Sequence, residues 1–252
     1  MTGQLTIAGL GPGPDRWVTD AARAAIADAD VLIGYAAYVS RIAPRPGQRI
    51  EGSDNRQERG RAERALELAA EGAKVAVVSG GDPGVFAMAA AVFEAIEQGP
   101  QAWRSLDVRV EPGVTAMLAA AARIGAPLGH DFCAISLSDN LKPWPLIEKR
   151  LRMAAEADFV IALYNPASKA RPDQIGAAFA LLRTLRAPGT LVMLARAVGR
   201  PDEEIEVTTL ESAHEAVVDM RTLVIIGSSS TRAIARADGR AWIYTPRFAE
   251  DA

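Results

Sequence analysis

The chain has 252 residues, 49% of them hydrophobic and 23% charged, which is enough for one large domain or two smaller ones. Its 28 basic and 31 acidic residues give a formal net charge of −3, so overall charge provides no attraction to nucleic acid or to an anionic membrane. A single cysteine, Cys133, excludes an internal disulfide, and with only His130 and His214 beside it no zinc ligand set is expected.

Targeting signals are not evident in the sequence. The longest apolar run, residues 85–93, is far shorter than the roughly 20 residues that a membrane-spanning helix needs. The N-terminus leads into a strand pattern without a cationic segment, unlike a secretory signal. We therefore expect a protein of a reducing, cytoplasmic compartment, with neither nucleic acid nor membrane as a partner.

Strand patterns alternate with alanine-rich helical patterns along the chain. The helical spacing is clearest over residues 19–29 and 59–73. Nine strands are predicted, at residues 5–10, 30–35, 74–79, 107–112, 132–137, 158–164, 190–196, 204–210 and 222–228. This alternation predicts an α/β protein with mostly parallel sheets.

The pattern changes near residue 112, where a helix leads into a turn rich in glycine and proline. We therefore predict two α/β domains, residues 1–111 and 112–252, with a cleft for cofactor and substrate between them.

Residues 9–15, GLGPGPD, form the first glycine loop, directly after the first predicted strand. A dinucleotide-binding fold would hold phosphate there, but Pro12 and Pro14 have no backbone N–H to donate. The G-x-G-x-x-G fingerprint is absent, and no G-K-[ST] sequence occurs in the chain. The alternative interpretation is a stiff turn that only packs.

Residues 80–86, GGDPGVF, form the second glycine loop. Its glycines allow close backbone approach, whereas Asp82 would repel a phosphate and would accept from hydroxyl groups such as those of a ribose. A ligand with a ribose, a base and a positive centre but no phosphate is S-adenosylmethionine (SAM). The alternative is that Asp82 caps a helix that begins at Pro83, and the two roles can coexist.

Four stretches in this order, GLGPGPDRWVT, VSGGDPGVFAMA, EPGVTAM and TLVIIGSSSTR, resemble the tetrapyrrole methylase family of SAM-dependent methyltransferases. The resemblance covers essentially the whole chain. ISLSDNLKPW and ALYNPASKARP resemble the branch that methylates C-17 of precorrin-3B and contracts the ring in cobalamin biosynthesis. The family implies two α/β domains, a cofactor in the cleft between them and a homodimer.

The resemblance also implies a set of cofactor-binding residues. They are Pro12, Gly80, Gly81, Asp82, Val85, Phe86, Thr115, Ala116, Leu163, Tyr164, Asn165 and Ala197. Tyr164 and Asn165 have an alternative interpretation as turn residues before Pro166. Relatives usually have an aspartate directly after GPG, where this chain has Pro14 followed by Asp15.

The methyl transfer that the resemblance implies mainly requires the acceptor carbon to be aligned with the S–CH₃ bond of SAM. The methyl group needs little activation, because the methyl group of a sulfonium is already reactive. Alignment alone can lower the activation free energy by about 7 to 11 kcal/mol, and neither a metal nor a covalent nucleophile is required. Ring contraction begins with deprotonation of a hydroxyl on the meso carbon that is expelled, so one general base is expected. The candidates are Asp15, His130 and Asp139, the last two with an alternative interpretation as turn residues.

A precorrin carries acetate and propionate side chains, so this anionic tetrapyrrole should meet arginines. The candidate substrate-binding residues are Arg41, Arg45, Arg56, Ser168 and Arg171. We interpret Arg59, Arg61 and Arg64 as the solvated face of the helix over 59–73.

Three alternatives stay open. One is the cobalt-containing substrate of the anaerobic route, and another is methylation of a different precorrin carbon or of a different acceptor. The third is a nucleotide-binding oxidoreductase that binds NAD, against which Pro12, Pro14 and Asp82 argue.

Overall fold

The computed structural model describes residues 3–54, 57–214 and 218–248. The chain divides into two compact units between Ala116 and Met117. The domain boundary that the sequence pattern predicts lies slightly earlier, between residues 111 and 112. We describe each unit by itself.

The first unit contains a five-stranded sheet in the order β3-β2-β4-β1-β5, and all four strand pairs are parallel. The strands are β1 (Gln4–Gly9), β2 (Val31–Tyr35), β3 (Arg49–Ser53), β4 (Lys74–Ser79) and β5 (Asp107–Glu111). The helices are α1 (Asp20–Asp28), α2 (Ala36–Val39), α3 (Glu58–Ala70) and α4 (Met88–Gln98), with 3₁₀ turns at Asp15–Trp17 and Gln101–Ser105. Strands of a parallel sheet end at the same edge, so the carboxyl edge gathers the loops that follow β1, β3, β4 and β5.

Helices cover both faces of this sheet. Leu5 and Ile7 of β1 belong to the cluster that packs against α3 and α4, whereas Ala8 belongs to the cluster that packs against α1. Because successive side chains of a strand point to opposite faces, a strand buried on both sides needs a continuous apolar run. In β1, QLTIAG, every residue after Gln4 is buried, and Thr6 is the one polar residue among them.

The second unit contains a five-stranded sheet in the order β10-β9-β11-β8-β7 and a three-stranded sheet in the order β12-β13-β6. The strands are β6 (Gly125–Ala126), β7 (Phe132–Ser136), β8 (Val160–Tyr164), β9 (Leu191–Arg196), β10 (Glu204–Thr209), β11 (Thr222–Ile226), β12 (Arg232–Ala235) and β13 (Ala241–Tyr244). The helices are α5 (Ala116–Ile124), which begins at the boundary, α6 (Trp144–Glu156) and α7 (Gln174–Arg183). Phe179 of α7 and Leu151 of α6 are fully buried in the core of this unit.

The expectation of parallel strands is wrong for the five-stranded sheet of the second unit. Only β7 and β8 pair in parallel there, and β9–β10, β9–β11 and β8–β11 are antiparallel. The segment between Arg196 and Glu204 is too short to carry a crossover helix, so β10 returns beside β9 as a hairpin. The α/β class itself is confirmed.

All nine predicted strands are present, with ends that agree to within two residues, and the helical patterns over 19–29 and 59–73 correspond to α1 and α3. The prediction misses β3, β6, β12 and β13. Every residue of β12 is exposed and β3 is a largely exposed edge strand, so neither has the buried apolar pattern of the other strands. Across residues 3–54, 57–214 and 218–248, no helix has both the length and the apolar character to cross a membrane.

Candidate active site

Three glycines bring three loops into backbone contact at the carboxyl edge of the first sheet. A Cβ on Gly113 would lie 2.3 Å from the carbonyl oxygen of Gly81, and one on Gly9 would lie 2.7 Å from Cα of Gly113. The N–H of Gly11 donates to the same Gly81 oxygen at 3.1 Å. Backbone at such distances leaves no room for a side chain, so the two glycine loops and residues 112–115 are packed together through glycine.

Asp82 uses both carboxylate oxygens on backbone donors of this junction. Oδ1 accepts from the N–H of Gly84 at 2.8 Å, and Oδ2 accepts from the N–H of Gly113 at 3.0 Å. The interpretation of Asp82 as the cap of a helix at Pro83 is wrong, because α4 begins only at Met88. The second glycine loop is therefore a turn that Asp82 fastens to the neighbouring loop.

Four non-glycine residues of the described chain adopt a positive φ, and three of them are predicted cofactor-binding residues. These are Phe86 at 51°, Asn165 at 52° and Ala197 at 51°. The fourth is Asp158. A left-handed conformation costs a non-glycine residue about 1–2 kcal/mol, and such strain concentrates at ligand sites. Phe86 is also 49% exposed, so its ring is accessible to a ligand.

In the second unit, hydrogen bonds hold the carboxyl ends of β7 and β8 together. Asn165 Nδ2 donates to Ser136 Oγ at 3.0 Å, and Ser138 N–H donates to the same oxygen at 3.3 Å. The phenol oxygen of Tyr164 accepts from the N–H of Met117 at 3.0 Å, in the first turn of α5. Tyr164 and Asn165 are thus fixed at a strand end, where open α/β sheets bind ligands.

Two segments meet beside these strand ends, residues 138–140 (S-D-N) and residues 164–171 (Y-N-P-x-S-x-x-R). Arg171 Nε lies 3.9 Å from Asp139 Oδ1, and Gln174 Nε2 donates to Asp139 Oδ2 at 3.3 Å. The chain reverses between Ser168 and Arg171 through two backbone hydrogen bonds, of 2.9 and 3.0 Å. Within the described residues, the buried atoms Arg171 Nη1 and Gln174 Oε1 have no hydrogen-bond partner.

The structure separates the three candidates for the general base. His130 precedes β7, so it lies at the opposite end of that strand from Ser136, and the strand from Phe132 to Ser136 alone spans about 13 Å at 3.3 Å per residue. Its Nδ1 accepts from the N–H of Asp131 in a turn, and a role of His130 as the base stays a prediction. Asp139 lies in the cluster with Arg171, and Asp15 is exposed in the 3₁₀ turn that follows the first glycine loop.

Arg41 is bound to the first glycine loop. Its guanidinium donates to the carbonyl oxygens of Leu10, Gly11 and Gly13 at 3.1, 3.1 and 2.7 Å. Pro12 and Pro14 have no N–H with which the loop could hydrogen-bond to itself. The guanidinium of Arg41 fixes the shape of the loop instead, through its carbonyl oxygens. Arg41 therefore positions the loop, and a direct contact with substrate stays a prediction.

Arg45 lies at the other edge of the first sheet. Its guanidinium donates to the carbonyl oxygens of Ala27 and Ala29 at 2.8 and 2.9 Å, where α1 ends and before β2 begins. A cation there satisfies orphan carbonyls of the helix and complements its dipole. Arg45 therefore caps α1, its predicted contact with substrate stays a prediction, and Arg56 lies outside the described residues.

Arg61 is a buried residue that the sequence interpretation places wrongly in solvent. It is only 4% exposed, while Arg59 and Arg64 form ion pairs with Glu63 and Glu51 at the helix surface. Burial lowers the pKa of the Arg61 guanidinium below its ordinary value. Helical spacing could have revealed this position, because Arg61 falls one turn before the buried Ala65 on the same face of α3.

The other predicted cofactor residues differ in what they can present to a ligand. Thr115 and Ala197 are buried, and Pro12, Gly80, Val85 and Ala116 are half-buried. Leu163 is fully buried in the core of the second unit, where it pairs with Ile135 of β7 and Val224 of β11. Among the residues that the structure describes, no group of three or more His, Cys, Asp or Glu side chains is placed to hold a metal ion.

Comparison with known proteins gives consistent matches over nearly the whole chain. Residues 4–214 match the family of Tetrapyrrole (Corrin/Porphyrin) Methylases. A Precorrin-3B C(17)-methyltransferase of Sinorhizobium sp is 58% identical over 248 residues, which is 98% of each chain. The crystal structure of the methyltransferase CobJ superposes with a TM-score of 0.92 at 53% identity, covering 97% of this chain and 100% of that one.

A more distant structure contains a ligand. Uroporphyrin-III C-methyl transferase from Thermus thermophilus, complexed with S-adenyl homocysteine, superposes with a TM-score of 0.68 at 25% identity. The match covers 89% of this chain and 97% of that one.

Proposed function

Because the chain belongs to the tetrapyrrole methylase family, we propose that it methylates precorrin-3B at C-17 with SAM as the methyl donor. The reaction contracts the macrocycle to precorrin-4 in cobalamin biosynthesis. The observation that carries this proposal is the 58% identity, from end to end, to a relative named for that reaction. We further propose a cytoplasmic homodimer, in which exposed apolar side chains of the first unit such as Phe93, at 49% exposure, would be covered.

The second glycine loop fits a donor without phosphate groups. The N–H groups of Gly11, Gly84 and Gly113, which could cradle a phosphate, are all bonded to Gly81 or Asp82 instead. A carboxylate has about four acceptor sites, so Asp82 can still accept from a ribose hydroxyl while it holds these two backbone donors. The same arrangement is unsuited to the pyrophosphate of NAD.

We propose that the predicted cofactor residues bind SAM, with the strained Phe86, Asn165 and Ala197 contributing shape and backbone groups. When bound, SAM supplies a methyl group on a sulfonium, which needs no further activation. The remaining work of the protein is to orient an acceptor carbon and exclude water, and rigid glycine-packed loops suit that task.

We propose Asp139 as the general base that takes the proton of the hydroxyl on the expelled meso carbon. Arg171 lies beside its carboxylate and Gln174 donates to it, so both side chains hold the carboxylate in one orientation. Asp15 is the second candidate, since it is the last residue of the first glycine loop and it is exposed. Ser168 and Arg171, on the turn beside Asp139, are proposed to contact the carboxylates of the tetrapyrrole.

The test combines binding with turnover. Calorimetric titration should show S-adenosylhomocysteine (SAH) binding and no NAD binding, and turnover should then be measured with precorrin-3B and with its cobalt-containing analogue. Conversion of precorrin-3B in preference to the cobalt form supports the proposal, whereas preference for the cobalt form would assign the enzyme to the anaerobic route. An NAD isotherm without SAH binding would refute a methyltransferase function.

For the base, Asp139→Asn and Asp15→Asn are compared in the same assay. We expect Asp139→Asn to lower kcat by about 10²-fold or more with SAH affinity unchanged, and Asp15→Asn to retain most of the activity. The reverse order would assign the role to Asp15.

A further inference from the structure

A groove opens between β3 and α3 at the carboxyl edge of the first sheet. Its volume is about 410 Å³. Its lining consists of Ile33, Gly52 and Gly60 together with the polar and charged side chains of Glu51, Ser53, Gln57, Arg61 and Arg64. The one carboxylate among these residues, Glu51, is already paired with Arg64. Ser53 is the last residue of β3, so the groove shares its edge of the sheet with both glycine loops.

Arg61 contributes a buried positive charge to this groove without a close counter-charge. Among the described residues no carboxylate oxygen lies within 4.0 Å of its guanidinium, and Glu58 and Asp54 act on it only from a longer distance. A buried charge is costly unless it is paired, and burial indeed lowers the pKa of this guanidinium. The site therefore favours an anion.

The guanidinium also has donors left for a ligand. Nε donates to Ser53 Oγ at 2.9 Å, Nη2 to the carbonyl oxygen of Asp54 at 2.7 Å and Nη1 to the sulfur of Met88 at 3.3 Å. A guanidinium carries five N–H groups, so these contacts leave two, and the thioether is only a weak acceptor. Two N–H groups on neighbouring nitrogens match the two oxygens of a carboxylate.

Side-chain contacts connect Arg61 to the second glycine loop. Met88 is the first residue of α4, directly after that loop. Tyr38 interacts electrostatically with Arg61, and its ring packs so closely on Gly80 that a Cβ there would lie 2.6 Å from Cζ of the tyrosine. An anion at Arg61 would therefore lie close to the loop assigned above to the methyl donor.

We propose that this groove binds a carboxylate side chain of the tetrapyrrole, with Arg61 as the residue that receives it, an inference that rests on the proposed function. It gives a substrate role to Arg61, which the sequence interpretation places on the solvated face of its helix, and it leaves the predicted substrate contact of Arg41 as a separate prediction. Gly60 lines the groove beside open space, since a Cβ added there would meet no atom within 4 Å.

The experiment measures KM and kcat for precorrin-3B together with the Kd for SAH. We expect Arg61→Met to raise KM about tenfold or more, with kcat and the SAH Kd within about twofold of the wild type. Arg59→Met, on the same helix but with an exposed ion pair to Glu63, is the matched control and should change none of the three.

A groove-filling variant covers the case in which Arg61→Met fails to fold. Gly60→Leu places a side chain in the groove and leaves Arg61 intact, and it should raise KM about tenfold while SAH binding persists. An unchanged KM in Gly60→Leu would overturn the inference. So would a rise of both the KM and the SAH Kd in Arg61→Met, because Arg61 would then have a structural role only. A wild-type protein that binds SAH but does not convert precorrin-3B would refute the proposed function, and with it this assignment.

Discussion

Asp82 reaches across β1 to accept a hydrogen bond from the backbone N–H of Gly113, with 3.0 Å between N and Oδ2. The two residues follow β4 and β5, which lie on either side of β1 in the sheet. One carboxylate therefore fastens together loops that no strand pairing joins directly. An aspartate in a glycine-rich turn has a structural purpose even before a ligand is considered.

Asp82→Asn should weaken this junction and SAH binding together. An asparagine keeps one acceptor oxygen but turns an NH₂ group toward a backbone donor. The variant should therefore lose one charge-assisted hydrogen bond, which contributes about 1.5–3 kcal/mol to the free energy of unfolding. We expect a lower Tm and an SAH Kd raised about tenfold, measured by thermal unfolding and calorimetry. Asp131→Asn is the control, because the Asp131 side chain is 82% exposed. An unchanged Tm would show that the contact with Gly113 contributes little.

Gly113→Ala should disrupt the same junction without changing charge. Its new Cβ would lie 2.3 Å from the carbonyl oxygen of Gly81, so one loop must move. Overpacking of this kind costs about 1–3 kcal/mol, and the second glycine loop would lose its shape for the cofactor. Differential scanning calorimetry and SAH titration test this against Gly189→Ala, whose added Cβ meets nothing within 4 Å. Equal behaviour of the two variants would contradict the close packing.

Substitutions of Asn165 should separate backbone strain from the side-chain hydrogen bond. Asn165→Ala and Asn165→Gly both remove the bond to Ser136, but only glycine adopts a φ of 52° without strain. We expect the glycine variant to be about 1 kcal/mol more stable than the alanine variant by chemical denaturation. Equal stabilities would indicate that this segment relaxes out of the left-handed conformation.

The thiol of Cys133 should make stability depend on alkaline pH. Burial raises its pKa above the ordinary value of 9.0, and the Arg186 guanidinium offsets part of that effect. Since the folded state holds the proton more tightly, this contribution to stability is present below pH 9.0 and is lost as pH rises through the higher pKa of the folded protein.

Denaturation curves at pH 8 and pH 10 for the wild type and Cys133→Ala test this expectation. The wild type should lose more stability over that interval than the variant. At pH 8 the native thiol should also react more slowly with a disulfide reagent than the unfolded one, because the thiolate is the reactive form. A native rate equal to the unfolded rate would contradict a raised pKa.

The sequence alone determined the order and type of the main elements and the places where ligands could bind. Buried strands such as β1 and β4 are mainly apolar, and both glycine loops follow these strands directly. These features depend on neighbours in the sequence, and glycine and proline limit the backbone wherever they occur.

Only the tertiary structure decided which charged groups meet which partners. A guanidinium on a long side chain reaches carbonyls far away in the sequence, so Arg41 holds the first glycine loop and Arg45 caps α1. The same reach takes Arg61 into the protein from a helix that looks solvated in sequence. Periodicity identifies the face of an element, whereas the partner on that face depends on chain reversals and strand directions that the sequence pattern does not contain.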